Sequence, residues 1–266
     1  MRRRWGLPSY YAVLAILLYI PIAILFLFAF NDGTALSFPI QGFTLDWYRS
    51  MFDNEQLLGA ARSSVGVAIG TATVATGLGT GAALAFLRFD FPGKQALAAA
   101  AMLPLLVPFL ILGVSLLILF SALDIPRSLL TVGVGHTVIA IPYTLLVMGA
   151  RLADFPASME EAARDLGATY PYTLRRVLIP ILAPAMISAW LLAFTVSIDE
   201  FVIASFMIGR EPTLPVYIFG QLRFANRFPQ VVALSTVVIV LSVGLLLLAE
   251  RLRRIGSARV AARAEG

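Results

Sequence analysis

Glu161-Ala162-Ala163-Arg164-Asp165-Leu166-Gly167, followed nine residues later by Val177-Leu178-Ile179-Pro180, forms a polar stretch between two long apolar segments. Ser158-x-x-Glu161 has capping-box spacing, which predicts a short helix with Ser158 at its N-cap and Glu161 at N3. Ala162 and Ala163 keep one face of that helix small enough for close approach by another protein. Gly167 supplies the left-handed residue that stops it, and Pro171 suits the first turn of the next helix. Pro180 and Pro184 are expected to kink or end that second helix before the following apolar run.

Outward from this stretch the chain reads as a membrane protein. Of its 266 residues 59% are hydrophobic and 13% charged, and mean hydropathy is +0.88. A soluble domain carries about 25% charged residues, so the surplus apolar surface calls for lipid. The absence of cysteine excludes disulfides, thiolate metal sites and a cysteine nucleophile. With His136 as the single histidine, a His-based metal cluster or catalytic triad is disfavoured too. Neither a cofactor nor a metal is expected, and no catalytic residue is assigned.

A helical span takes about 20 apolar residues, and six stretches approach that length: 10–30, 63–87, 96–120, 129–150, 185–208 and 231–249. The predicted fold is all-α with six transmembrane helices. Gly66/Gly70 and Gly77/Gly81 have the spacing that lets helices pack closely, and are read as generic helix packing. Pro104 and Pro108 should bend the third span. The first span, behind Arg2-Arg3-Arg4, is too long for a cleaved signal peptide and has no A-x-A site after it, so it is read as a retained anchor. An N-terminus inside the cell leaves only Arg49, Arg62, Arg127, Arg210, Arg223 and Arg227 of the 20 basic residues outside. That choice puts both termini and the 161–167 stretch in the cytoplasm. The net charge of +5 then reflects topology and a basic tail near anionic lipid, not nucleic-acid binding. The expected organisation is a cytoplasmic segment 1–9, a six-helix transmembrane body 10–250 with a cytoplasmic loop 151–184, and a basic cytoplasmic tail 251–266.

The quoted stretch resembles the EAA motif, EAA-x3-G-x9-I-x-L-P, of permease subunits of type I ABC importers. The resemblance implies a cytoplasmic coupling helix that docks into an ATPase subunit, with Ser158, Glu161, Ala162, Ala163, Asp165, Gly167 and Pro180 at or near the contact. It further implies a second homologous permease, two ATPase subunits, an external solute-binding protein and a place in the bacterial inner membrane. Phe194-Thr195-Val196-Ser197-Ile198-Asp199-Glu200, with Thr213-Leu214-Pro215 and Ala233-Leu234-Ser235-Thr236 downstream, is similar to the second permease of spermidine/putrescine importers. A small cationic solute, such as a polyamine, is the implied cargo; importers of other small solutes share much of this stretch. The chain holds no G-x-x-x-x-G-K-[ST] phosphate loop, so energy must come from another subunit.

Asp199 and Glu200 matter without any family. Each falls inside the expected fifth span, where a charge is costly unless paired or wetted. Adjacent helical positions point about 100° apart, so one carboxylate is expected to face the translocation path while the other bonds a neighbouring helix. His136, in the fourth span, is expected to hydrogen-bond within the bundle. Trp47 and Tyr48 are expected to begin a short helix at the membrane surface. Two rivals from other classes lack their signatures. An intramembrane hydrolase lacks G-x-S-x-G and H-E-x-x-H motifs, and a stand-alone secondary transporter lacks a visible inverted repeat.

Overall fold

The computed structural model describes residues 6–33, 38–40, 42–224 and 227–244. The expected basic tail 251–266 and residues 1–5 of the expected N-terminal segment lie outside the described residues. The described chain is helical, with an isolated antiparallel bridge between Asn31 and Phe43. It divides into two compact units, one of Met1–Leu58 with Ile218–Gly266 and one of Gly59–Tyr217.

In the first unit α1 (Gly6–Phe28) is apolar along its length, and within its span Ser9–Phe28 only 6% is buried. Such a surface requires lipid or another protein around it. Phe28 and Ala29 pack with Val232 of the apolar helix Phe228–Gly244. The short helix α2 (Asp46–Phe52) contains Trp47 and Tyr48 as expected, and Trp47 Nε1 donates to the Asn31 carbonyl at 2.9 Å. The expected last span 231–249 corresponds to Phe228–Gly244, and its final residues lie outside the described set.

The second unit is built around α3 (Glu55–Arg88) and α6 (Leu129–Ala153). α3 begins eight residues before its expected start, because Asn54 accepts the Leu57 N–H at 3.0 Å and Glu55 complements the helix dipole. A Ser128/Thr131 capping box fixes the start of α6. Thr71 Oγ1 donates to the Gly133 carbonyl, Thr144 Oγ1 to that of Ala75, and the Arg88 guanidinium to that of Leu152, at 3.3, 2.8 and 3.5 Å. Partner numbers rise together along both helices, so α3 and α6 run parallel. Buried Ala72, Ala75 and Ala140 line the contact; with no hydrophobic drive between helices in lipid, small residues and hydroxyls hold them together.

A parallel pair requires one net return between its members. α4 (Lys94–Leu106) and α5 (Phe109–Ala122) provide it as two helices bent by 112°, where one span over 96–120, bent by Pro104 and Pro108, was expected. Pro108 has no N–H and disfavours helical backbone at Val107, which is extended at φ −87°, ψ 127°. Pro104 sits inside α4 without ending it.

α7 (Ala157–Asp165) and α8 (Tyr170–Thr173) lead into a π-helical turn, Leu174–Leu178, and then α9 (Ile179–Ile198). The run Tyr170–Ile198 forms one 29-residue apolar stretch long enough to span. Pro180 and Pro184 therefore do not end the helix ahead of the span. The π turn, in which the Ile179 N–H reaches back to the Leu174 carbonyl, widens the helix immediately before Pro180 and makes room for its ring. α9 runs antiparallel to α6. Leu178 and Leu182 pack with Met148 and Leu152 near one end, and Ser197 meets His136 near the other.

By length and composition α1, α3, α6 and Tyr170–Ile198 can cross a membrane, and the α4–α5 pair raises the number to five. The fold is all-α, as expected. Among the described residues nothing packs against the glycines read as packing surfaces: an added Cβ at Gly66, Gly70, Gly77 or Gly81 would meet nothing within 4 Å. Close approach is made instead at Gly79, against Thr144.

Candidate functional site

At the end of the bundle where α3 and α6 both terminate, α7 projects as a nine-residue helix. The Ser158/Glu161 capping box is absent: Pro156 is the N-cap, no side chain caps the first turn, and Ser158 is exposed inside the helix. Proline before the first turn sets the chain direction without needing a side-chain acceptor. The C-terminus is stopped as expected. Gly167 takes φ +82°, with Gly167 N–H bonded to the Arg164 carbonyl and Ala168 N–H to that of Ala163, a Schellman pair.

Glu161, Ala162, Asp165 and Gly167 are exposed, Ala163 is half-buried, and Leu166 is 90% exposed. The residue that ties the helix down is Glu160, which is buried. Its Oε1 accepts from Arg88 Nε at 2.7 Å, and the same guanidinium donates to the carbonyls of Leu152 and Phe155 at 3.5 and 3.3 Å. The pairing of Glu160 with Arg88, which the sequence places only among the basic residues expected on the cytoplasmic side, has no signal there, because no spacing rule links residues 72 apart. A half-open depression beside them is lined by Arg88, Phe89, Glu160, Glu161, Arg164 and Tyr170. Pro180 lies exposed at the start of α9 and is not among the lining residues.

A second constellation sits where α9 stops and α10 (Val202–Met207) starts. Asp199 and Glu200 are not in one continuous helix; both fall in the break. Glu200 is buried, and its two carboxylate oxygens accept the N–H groups of Ile203 and Ala204 at 3.1 and 3.0 Å. Glu200 Oε2 also lies 3.2 Å from His136 Nε2, a close electrostatic contact outside the alignment of a hydrogen bond. His136 Nδ1 bonds Ser197 Oγ at 2.8 Å, within the bundle as expected. Asp199 is exposed, and among the described residues no side chain pairs with its carboxylate. The two adjacent acids thus have different surroundings because the break turns one inward onto free helix N–H groups.

A bundle of membrane-length helices that presents a short, end-capped polar helix beyond its apolar body defines a permease-type transmembrane domain. The chain belongs to the family of binding-protein-dependent transport system inner membrane components, which matches residues 75–261. It is 38% identical to the spermidine/putrescine transport system permease protein PotC of Haemophilus influenzae, over 89% of this chain and 92% of that one. It is 36% identical to the putrescine transport system permease protein PotI of Escherichia coli, over 84% of this chain and 81% of that one. Its fold is similar to a chain of a bacterial alginate ABC transporter crystallised with an alginate-bound periplasmic protein, with TM-score 0.72 at 16% identity over 96% of both chains.

Proposed function

We propose that this chain is one permease subunit of an ATP-driven importer for a small cationic solute, a polyamine such as spermidine or putrescine. Its partners are a second homologous permease, two ATPase subunits that carry the hydrolysis, and an external solute-binding protein. The N-terminus, the 151–184 loop and the 251–266 tail are cytoplasmic. The chain catalyses no reaction itself.

The observation that carries the coupling role is α7, a helix stopped at both ends whose outer face, Glu161, Ala162, Asp165 and Leu166, is left uncovered by its own chain. An ATPase groove receives that face, with Ser158 and Gly167 at its ends and Ala163 beneath it. Pro180 acts behind it, by shaping the join between the loop and the span. The cargo assignment leans on the relatives' names together with Asp199. An exposed carboxylate at the break that follows an apolar span cannot face hydrocarbon cheaply, so a wet path serves it, and a cation in that path gains charge-assisted contacts. Glu200, held by α10 and His136, shapes the wall of the path.

The test is uptake per assembled complex in proteoliposomes. Asp199→Asn is expected to slow spermidine and putrescine uptake about tenfold or more, since one charge-assisted hydrogen bond contributes about 1.5–3 kcal/mol. Unchanged cation uptake, or a complex importing only neutral or anionic solutes, would overturn the cargo assignment.

A further inference from the structure

α7 reaches the body of its own unit through few polar contacts, and the strongest joins the buried Glu160 to the half-buried Arg88. Glu160 is 5% exposed, whereas Met159 on the same short helix is 47% and Leu166 at its C-cap 90% exposed. Its partner Arg88 is the last residue of α3, a 34-residue helix about 51 Å long. The guanidinium does three things at once. Its Nε bonds Glu160 at 2.7 Å, and its terminal nitrogen reaches the carbonyls of Leu152 and Phe155 at 3.5 and 3.3 Å. Leu152 lies in the last turn of α6, and Phe155 lies in the link from α6 to α7. One side chain therefore joins the end of α3, the end of α6, the link and α7.

A buried ion pair is a poor device for stability alone, because desolvation offsets most of its Coulomb energy. It is a good device for fixed geometry, since the planar guanidinium fork holds its partners at set angles where a lysine would hold them loosely. The helices it joins are packed rigidly further along, by Thr71 on Gly133 and Thr144 on Ala75.

We infer that Arg88, through Glu160, is a positioning residue for coupling: it makes α7, α3 and α6 move as one body, so that a push received at α7 reaches the membrane-spanning helices. The inference rests on the reading of α7 as the ATPase contact. With the fork removed, α7 can still bind the ATPase by its outer face, but it tilts without carrying α3 along. ATP is then hydrolysed with little transport.

The experiment uses the full complex of this chain, its partner permease, ATPase subunits and binding protein, reconstituted in proteoliposomes. Uptake and ATP hydrolysis are measured on the same preparation. For Arg88→Ala the expected result is retained assembly, hydrolysis within about twofold of the unaltered complex, and uptake per ATP lower by about tenfold. Such a factor corresponds to about 1.4 kcal/mol. Arg88→Lys, which keeps the charge but loses the fork, should fall between, and Glu160→Ala, which removes the acceptor on α7, should resemble Arg88→Ala. Normal uptake per ATP in assembled Arg88→Ala complexes overturns the inference. So does a loss of assembly in all three variants with normal uptake per ATP in whatever complex remains, because that marks a structural role. An unaltered chain that recruits no ATPase through α7 instead overturns the functional reading, and the variants are then not needed to tell the two failures apart.

Discussion

The Glu200 carboxylate sits 3.2 Å from His136 Nε2 while its two oxygens receive the N–H groups of Ile203 and Ala204. One side chain thus starts α10 and pins it to α6, and His136 in turn holds Ser197 near the end of α9. Asp199, next in sequence, holds nothing among the described residues.

Glu200→Ala should therefore destabilise the chain, and Asp199→Asn should not. Removing one partner of a buried charged cluster costs about 3–5 kcal/mol, and an exposed substitution usually stays within about 0.5 kcal/mol. Thermal unfolding of the detergent-purified chain, with folded yield as a second readout, separates the two. Equal destabilisation by both would mean that Asp199 has a structural partner.

Gly167 offers a second test. Its φ of +82° leaves an added Cβ in open space, so the penalty is conformational and not steric. Alanine in the left-handed region costs about 1–2 kcal/mol, whereas asparagine visits it more readily. Gly167→Ala should unwind the end of α7 and weaken co-purification of the ATPase, with Gly167→Asn closer to the unaltered protein. Equal retention of the ATPase by both would separate the turn from the docking surface.

How far the sequence carried the structure depends on the range of the interaction involved. Gly167 and Pro108 were readable because a left-handed stop and a missing N–H are properties of a few adjacent residues. The boundaries failed for a related reason. Pro156 could replace Ser158 as the N-cap because several neighbouring residues can start a helix there. Pro180 passed without a break because a π turn, which has no sequence signature, absorbed it. Arg88–Glu160 and His136–Glu200 were invisible because they link residues 72 and 64 positions apart. Asp199 and Glu200 were visible as unusual charges, yet only the break after Ile198 distinguishes their roles. The Gly66, Gly70, Gly77 and Gly81 pattern was visible, but spacing does not say which helix faces it, and among the described residues none does.

Sidedness can be measured directly because the chain has no native cysteine. Ser158→Cys, exposed on α7, should react with an impermeant thiol reagent from the cytoplasmic face only. For the opposite face Asp53→Cys is the better probe, because it is exposed and leaves Asn54 to cap α3. It should react only from outside. Reaction of both from one side would contradict a membrane crossing by α3.

The glycines of α3 give the sharpest contrast. At Gly79 an added Cβ would overlap Thr144 Oγ1 and come within 2.9 Å of the Leu145 nitrogen. Neither neighbour can yield cheaply. Leu145 presents backbone, and Thr144 Oγ1 is committed to the Ala75 carbonyl at 2.8 Å. Gly79→Ala must separate α3 from α6 or break that bond, at a cost of about 1–3 kcal/mol for overpacking and about 1 kcal/mol for the hydrogen bond. Two residues earlier, Gly77 has open space where its Cβ would be. There alanine removes a helix-weakening glycine and gains about 0.5–1 kcal/mol. In unfolding of the purified chain, Gly79→Ala should lose several degrees of thermal midpoint, while Gly77→Ala should match or exceed the unaltered protein. The reverse order, or equal losses at both positions, would refute the parallel α3–α6 contact on which the position of Arg88 depends.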